Sequence, residues 1–404
     1  MKSCILTAGL VIAAALTVAG TSCTSTSSSS SSSAAPESGN ALVSAMKIGW
    51  NLGNTLDAFD DGKNLGVNSE LCWGQPLTTQ DMFQNLAASG IKTVRIPITW
   101  HNHIVGDGYT IDEAWLARCK QIVDWALEAG LYVIINVHHD TAETASVRYG
   151  QGYYPAEQSK EESLAFLKGV WKQIAATFNN GYDNHLLFEV FNEPRLRGHE
   201  REWWYDENNA DCVAAADIVR EYEEACISTI RKSGGKNASR FILVPAYVAS
   251  PDAALNDAFK MPADSAKNRL ILSVHMYTPW SFAGEDPGER LFSKEARKNI
   301  SDTFDRLYEK FVKKGTAVIV TECGATNKDN PSHREAWFRH FFESAKKNGI
   351  SAIMWDNGSY MVEETGNYSE HFGYYRRTQG TWYFPALLQA ALDGVAAGEA
   401  EQKK

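Results

Sequence analysis

Short runs of apolar and β-branched residues recur along the chain, separated by longer stretches in which apolar positions return at helical spacing. The runs are MKIGWN (46–51), IKTVRIP (91–97), LYVIINV (131–137), HLLFEVF (185–191), FILVPA (241–246), RLILSV (269–274), TAVIVT (316–321) and SAIMW (351–355). They are apolar nearly throughout rather than alternating, as expected of strands buried on both faces in a parallel sheet wrapped by helices. Among the stretches between them, TTQDMFQNLAAS opens with a capping-type start and DEAWLARCKQIVDWALEAG ends on the Gly expected past a helix C-terminus. KEESLAFLKGVWKQIAATF, AAADIVREYEEACISTIRKSGG, SKEARKNISDTFDRLYEKFVKKG and HREAWFRHFFESAKKNG follow the same pattern, whereas the gap after 246 carries only a short helix around DAALNDAF. Eight strands in alternation with helices predict an α/β fold, a closed (β/α)8 TIM barrel over residues 41–395 rather than an open doubly wound sheet. No Gly-x-Gly-x-x-Gly or Walker-type loop follows any run, which counts against nucleotide binding.

The ends of the chain do not share this pattern. Residues 1–23 give one Lys, a short apolar run and then small residues, the layout of a secretory signal peptide. Cys23 follows Gly-Thr-Ser in a loose version of a bacterial lipoprotein box, with Gly20 where a Leu is usual, so plain secretion and lipidation at Cys23 both remain open. Either implies export to the cell surface or beyond, with the membrane touched only through such a lipid. Residues 24–40, TSTSSSSSSSAAPESGN, have almost nothing apolar to bury and are expected to be a solvated tether. Residues 396–404 read as a polar tail.

Composition narrows the ligand. The net charge of −10 argues against nucleic acid and against an anionic polymer, so a neutral ligand is expected, and the aromatic content is high, with twelve Trp residues. The cysteines show neither C-x-x-C nor a His-containing zinc spacing; Cys119 and Cys226 fall within helical patterns as free core thiols, and no disulfide, metal or organic cofactor is predicted. A monomer is expected.

In a parallel barrel all strand C-termini open on one face, where substrates bind. The residues at those ends are Trp50, Asn51 and Asn54, then Arg95, His138 and His139, Asn192 and Glu193, His275 and Tyr277, Glu322, and Trp355. One polar group at a strand end is ordinarily just solvated. Seven strands ending this way point to a site. Glu193 closes the fourth strand and Glu322 the seventh, so the fold would set them facing each other. Opposed carboxylates are the chemistry of glycosidic cleavage, one giving a proton to the leaving oxygen and the other attacking the anomeric carbon or activating water.

The segments GWNLGNTLDA, TVRIPITWHNH, VIINVHHD, FNEPR, SVHMYTP, VTECGA and MWDNG resemble those of retaining β-glycanases of glycoside hydrolase family 5, most closely its endoglucanase/xyloglucanase branch, subfamily 4. The likeness spans residues 41–390 in order and spacing. It implies an endo-acting enzyme on plant-type β-1,4-glucans (cellulose derivatives, mixed-linkage glucan, xyloglucan), with mannan or xylan as the less expected backbones. By the same resemblance Glu193 is the general acid/base and Glu322 the nucleophile. Arg95 supports Glu322, Tyr277 hydrogen-bonds it, His138 and His275 are the site histidines, Asn192 meets the sugar 2-hydroxyl, and Trp355 floors the −1 subsite. Glu193 then needs a raised pKa and Glu322 a low one. Asn51, Asn54, His101 and His139 are candidate contacts to sugar hydroxyls, and Trp73, Trp203, Trp204 and Trp280 candidate stacking platforms; packing under loops is the ordinary alternative for any Trp. Glu189, an acid inside the fourth apolar run, calls for a buried partner that local pattern does not reveal. Two rivals compete: a glycan-binding barrel that has lost catalysis, opposed by the presence of both glutamates and Arg95, and a metallohydrolase using His138, His139 and His275, opposed by the missing Asp/Lys ligand set.

Overall fold

All eight apolar runs form strands of one closed parallel barrel in the computed structural model, which describes residues 38–60, 62–361 and 370–402. The strands are β1 (Ile48–Asn51), β2 (Thr93–Ile96), β3 (Tyr132–Asn136), β4 (Leu186–Glu189), β5 (Ile242–Pro245), β6 (Leu270–His275), β7 (Ala317–Cys323) and β8 (Ser351–Met354). Each pairs in parallel with its chain neighbours, and β8 closes on β1. Helices lie outside, where Trp115, Trp171 and Trp337 are buried.

The barrel interior is stacked in levels because side chains on a strand alternate between its two faces. At the lower level Ile134, Leu187, Leu243, Ile271, Ile319 and Ile353 meet, and the helix Gly39–Met46 packs Leu42, Val43 and Met46 against them. Two residues further along several strands the interior turns polar, with Arg95, Asn136, Glu189, Ser273 and Thr321, all buried. On β7 the pairing register with both β6 and β8 shifts by one residue across Thr321–Glu322. A bulge of this kind re-aims a side chain. Here Thr321 bonds inward to Ser273 and Glu322 also points inward, so two consecutive residues share one face.

The structure departs from the sequence reading at the edges. Ser38 caps a helix that begins at Gly39, inside the stretch expected to be tether, and the rest of that tether, the signal segment and Cys23 lie outside the described residues. At the other end the helix Pro385–Ala400 runs into the expected tail, with Glu399 near Lys47 (3.2 Å) and Lys346 (3.5 Å). Thr79 occupies the N-cap position of the helix Gln80–Ala88, but its side chain makes no capping bond. Two small hairpins, Ile104–Gly106 with Thr110–Ile111 and Tyr375–Arg376 with Thr381–Trp382, were too short to stand out in the apolar pattern. Among the described residues no helix is long and apolar enough to cross a membrane, and Cys72, Cys119, Cys212, Cys226 and Cys323 are free thiols.

Candidate active site

Arg95 stands at the centre of the mouth, fully buried, and all five of its N–H donors are engaged. Nε and Nη2 both lie 2.7 Å from Glu189 Oε2; Nη1 donates to Asn51 Oδ1 (3.0 Å) and Glu322 Oε1 (2.8 Å); Nη2 also donates to Asn192 Oδ1 (2.6 Å). A planar, permanently charged fork suits such a junction better than an ammonium would. Burial alone would weaken its hold on the proton, but Glu189 and Glu322 outweigh it and raise its pKa.

Glu189 thus has its partner. Its second oxygen accepts from Ser273 Oγ at 2.6 Å, and Asn136 Nδ2 adds a bond at 2.9 Å. Asn136 is itself oriented, because its Oδ1 accepts the Ile98 N–H (3.1 Å). Its remaining hydrogen points at His138 Nδ1, 3.1 Å away, which fixes that nitrogen as an acceptor and leaves the proton on Nε2. Burial and the cations around it hold His138 well below the ordinary imidazole value, so the ring is neutral.

Above this layer the two candidate carboxylates converge. Glu322 Oε1 takes the Arg95 bond, Oε2 accepts from Tyr277 (2.9 Å), and His275 Nδ1 lies 3.4 Å from that same oxygen. Glu193 Oε1 is 2.7 Å from the same His275 Nδ1. Oxygens of Glu193 and Glu322 lie within 4.8 Å of one another. The side chain of Glu193 is 18 % exposed and that of Glu322 7 %, so both border the opening.

The charges at this site run opposite to the order expected from sequence. Burial would raise the Glu193 pKa, but the hydrogen bond and charge of His275, with help from Arg195 and His139, hold it at about 2. Burial would lower His275, yet the two carboxylates facing it push it up. Glu322 is raised by burial, partly offset by His275 and Arg95. The physical reason is the short His275–Glu193 contact, in which one proton serves both groups and rests on the imidazole.

The other candidates fall into three groups. Trp355 lines the mouth with its ring parallel to His138 (4°, centroids 5.8 Å), and it needs Gly53 beneath it, where a Cβ would come within 2.9 Å of the indole. Asn192 is nearly buried and tied to Arg95 through its oxygen. Asn51, expected to reach a sugar, instead lies beneath the site: Nδ2 donates to Thr321 O (2.9 Å) and Met354 O (3.1 Å), which leaves its amide no free hydrogen. Asn54 is half-buried at φ 54° beside Asp57, while His101, His139 and Trp73 gather around Phe59, with ring centroids 5.0–6.1 Å apart. Trp203, Trp204 and Trp280 are exposed by 57 %, 52 % and 55 %.

Sequence pattern passed over Phe59, Asp57, Arg195 and Asp356. Asp356 accepts from Trp50 Nε1 (2.8 Å) and from the Tyr374 and Tyr375 amides (3.0 and 2.9 Å), fixing the strand end that carries Trp355. Its position just after a strand-end Trp was the available signal.

Among the described residues two groups have the donor types of a cation site, Asp57–His138–His139 and Glu193–His275–Glu322. In the second, Arg95 and Tyr277 already take both Glu322 oxygens and His275 takes Oε1 of Glu193, and a buried guanidinium at 2.8 Å would repel a metal. In the first, Asp57 accepts the Asn54 and Thr55 amides and His138 Nδ1 is occupied by Asn136. Neither donor set fits a resident ion.

A parallel barrel with paired acids over an arginine at its C-terminal mouth is the architecture of a barrel glycosidase. The profile of the family Cellulase (glycosyl hydrolase family 5) matches residues 58–361, and the chain belongs to that family. Endoglucanase 1 of Ruminococcus albus is 39 % identical over 355 residues, covering 87 % of this chain and 80 % of that one. A GH5 family lichenase from Caldicellulosiruptor sp. F32 superposes with a TM-score of 0.83 at 37 % identity, covering 89 % of this chain and 96 % of that one. A GH5-4 broad specificity endoglucanase from Ruminococcus champanellensis, solved with bound cellotriose, gives 0.80 at 34 % identity over 88 % and 98 %. The likeness is therefore to the subfamily 4 endoglucanases.

Proposed function

We propose that the protein is an endo-acting β-glucanase that cleaves internal β-1,4-glucosidic bonds by double displacement, with Glu322 as nucleophile and Glu193 as acid/base. The observation that carries this reading is the separation of the two carboxylates, whose oxygens lie within 4.8 Å of one another. So close an approach agrees with the ~5–5.5 Å spacing of the carboxyl groups in retaining enzymes better than with the ~6.5–9.5 Å of inverting ones.

In the first half-reaction Glu322 Oε2 or Oε1 bonds to the anomeric carbon as the glycosidic C–O bond breaks and the departing oxygen takes a proton from Glu193. That proton reaches Glu193 from His275 across the 2.7 Å contact, so the substrate's arrival, by excluding water, moves it from the imidazole to the carboxyl. In the second half-reaction Glu193, now a carboxylate, removes a proton from water, whose oxygen displaces Glu322 and frees the sugar with its original anomeric configuration. Arg95 and Tyr277 hold the Glu322 oxygens and stabilise the charge that returns to them. Neutral His138 offers Nε2–H to a sugar hydroxyl, Asn192 its Nδ2 hydrogens to the 2-hydroxyl, and Trp355 an apolar floor.

The relatives support a β-glucan as substrate, since the names of those compared are endoglucanase and lichenase and one holds cellotriose. Purified protein assayed side by side on carboxymethylcellulose, lichenan, xyloglucan, glucomannan and xylan tests this. Turnover of the first three, with a fall in viscosity well ahead of reducing-end release, is expected; activity confined to mannan or xylan would overturn it. The chain is exported in this reading, and mass spectrometry of the mature N-terminus distinguishes a lipid on Cys23 from simple cleavage. Sedimentation is expected to give a monomer.

A further inference from the structure

We propose that Lys328, on the loop after β7, is a positioning residue for Tyr277: its buried ammonium holds the loop after β6 in the arrangement in which the Tyr277 hydroxyl donates to Glu322. This rests on Glu322 being the nucleophile and extends that reading to what keeps one of its two supporting donors in place.

The two donors differ in how they are held. Arg95 reaches Glu322 from inside the barrel and is fixed there by Glu189, Asn51 and Asn192. Tyr277 lies past the end of β6, half-buried, with Trp280 and Phe372 as ring neighbours at 6.4 and 5.4 Å. The place of its hydroxyl therefore depends on the path of the loop it begins. That loop contains a single four-residue helix, Trp280–Ala283, too short to satisfy its own last carbonyls.

The loop after β7 supplies the missing donors. Lys328 Nζ donates to the carbonyls of Ser281 (3.1 Å) and Phe282 (2.9 Å), and the Thr326 N–H donates to that of Ala283 (2.8 Å). Three successive carbonyls are thus held from across the gap. The strap continues on either side, where Trp337 Nε1 donates to Thr278 O (2.9 Å), one residue past Tyr277, and Asn330 Nδ2 to Arg290 O (3.0 Å). Lys328 is fully buried. Burial pulls its pKa down to about 8 although Glu285, Asp286 and Glu289 act to raise it, so the ammonium keeps its charge at neutral pH. A charged donor binds a carbonyl more strongly than a neutral one. The seat is shaped for it by Gly288, at φ 53°, where a Cβ would come within 2.6 Å of Nζ. A methionine at 328 would fill the same space and leave both carbonyls without that donor.

The consequence is carried by one bond. The Tyr277 hydroxyl, 2.9 Å from Glu322 Oε2, favours the ionised form of Glu322 and so works against the rise that burial imposes. A loop released from Lys328 weakens that bond, and the Glu322 pKa climbs.

The experiment follows kcat/KM against pH on 2,4-dinitrophenyl β-cellobioside, whose phenolate leaves without a proton, so that the acid limb reports the ionisation of Glu322. Tyr277→Phe and Lys328→Met are each expected to move that limb up by about half a pH unit and to lower the plateau about fivefold. The double variant is expected to match Tyr277→Phe, because nothing remains for Lys328 to position. Should Lys328→Met not fold, Gly288→Ala decides in its place, since it crowds the same ammonium from the surface loop, and the same upward move is expected. An unmoved limb in Lys328→Met, or shifts that add in the double variant, overturns the proposal. Labelling by a 2-fluoro glycoside keeps the two readings apart: an ester on Glu322 beside an unmoved limb removes the role of Lys328 alone, whereas an ester on another residue removes the nucleophile assignment as well.

Discussion

Two layers of the barrel share one guanidinium and treat it differently. Below, Glu189 meets Arg95 with both oxygens satisfied, by Ser273 on one side and Asn136 on the other, and the side chain is sealed from solvent. Above, Glu322 meets the same Arg95 but sits at the opening, with Tyr277 and His275 on its second oxygen and Glu193 across from it. The lower acid is saturated; the upper pair shares a single proton donor, and the Nε2 of His275 has no partner among the described residues. A complete set of hydrogen bonds fixes a side chain and removes it from chemistry. An incomplete set at an opening leaves atoms able to change partners. The difference separates a supporting acid from the pair proposed to react, and it is set by position along the strand: Glu189 lies inside β4, whereas Glu193 lies past its end.

Substitutions break this comparison from either side. The largest effect is expected above. Glu193→Gln should lower kcat/KM on polysaccharide about 10²–10⁴-fold, the usual contribution of a positioned acid/base, and Glu322→Gln at least as much, with thermal melts close to the parent in both. Below, the order of effects inverts. Glu189→Ala strands the Arg95 charge in the barrel, and chemical denaturation should show about 3–5 kcal/mol of lost stability. A Glu189→Ala protein as stable as the parent would mean that the lower layer is not the fixed support described here.

The pH dependence sharpens the same contrast. In the proposed mechanism Glu322 must be ionised to attack, and burial raises its pKa above the ordinary 4.5 of a glutamate, so activity should begin to fall above that value as the medium is acidified. The His275–Glu193 pair must keep its proton, and the carboxylates raise His275 above 6.5, so the alkaline limb should lie above 6.5. A kcat/KM profile with its acid limb at or below the first figure, or its alkaline limb below the second, contradicts the shared-proton arrangement. The smallest effect expected is none: a chelator should leave turnover unchanged, since Glu322 is held by Arg95 and Tyr277 and Glu193 by His275.

The barrel was legible because its signal is local. A strand buried on both faces is an apolar run, and each of the eight runs holds one. The strand-end residues were legible for the same reason, since the polar group follows the run directly, as Asn192 and Glu193 follow HLLFEVF. What stayed hidden depends on contacts between residues far apart in the chain. The partners of Glu189 lie 94 and 84 residues away, at Arg95 and Ser273, and no periodicity announces them. Asn51 looked like a contact to sugar because it ends β1; only closure of the barrel turns it inward onto β7, β8 and Arg95. The order of the acid pKa values was misjudged because it depends on a 2.7 Å contact with His275 rather than on residue type. The bulge that turns Glu322 inward is likewise a matter of register between strands.

The most direct test is to trap the intermediate. The enzyme is incubated with 2,4-dinitrophenyl 2-deoxy-2-fluoro-β-cellobioside, digested, and the labelled peptide is sequenced by mass spectrometry. A single fluorosugar ester on Glu322, formed as activity is lost, is the result expected. A label on any other residue, or an active enzyme that releases the inverted anomer and is never labelled, would contradict the assignment of the two acids.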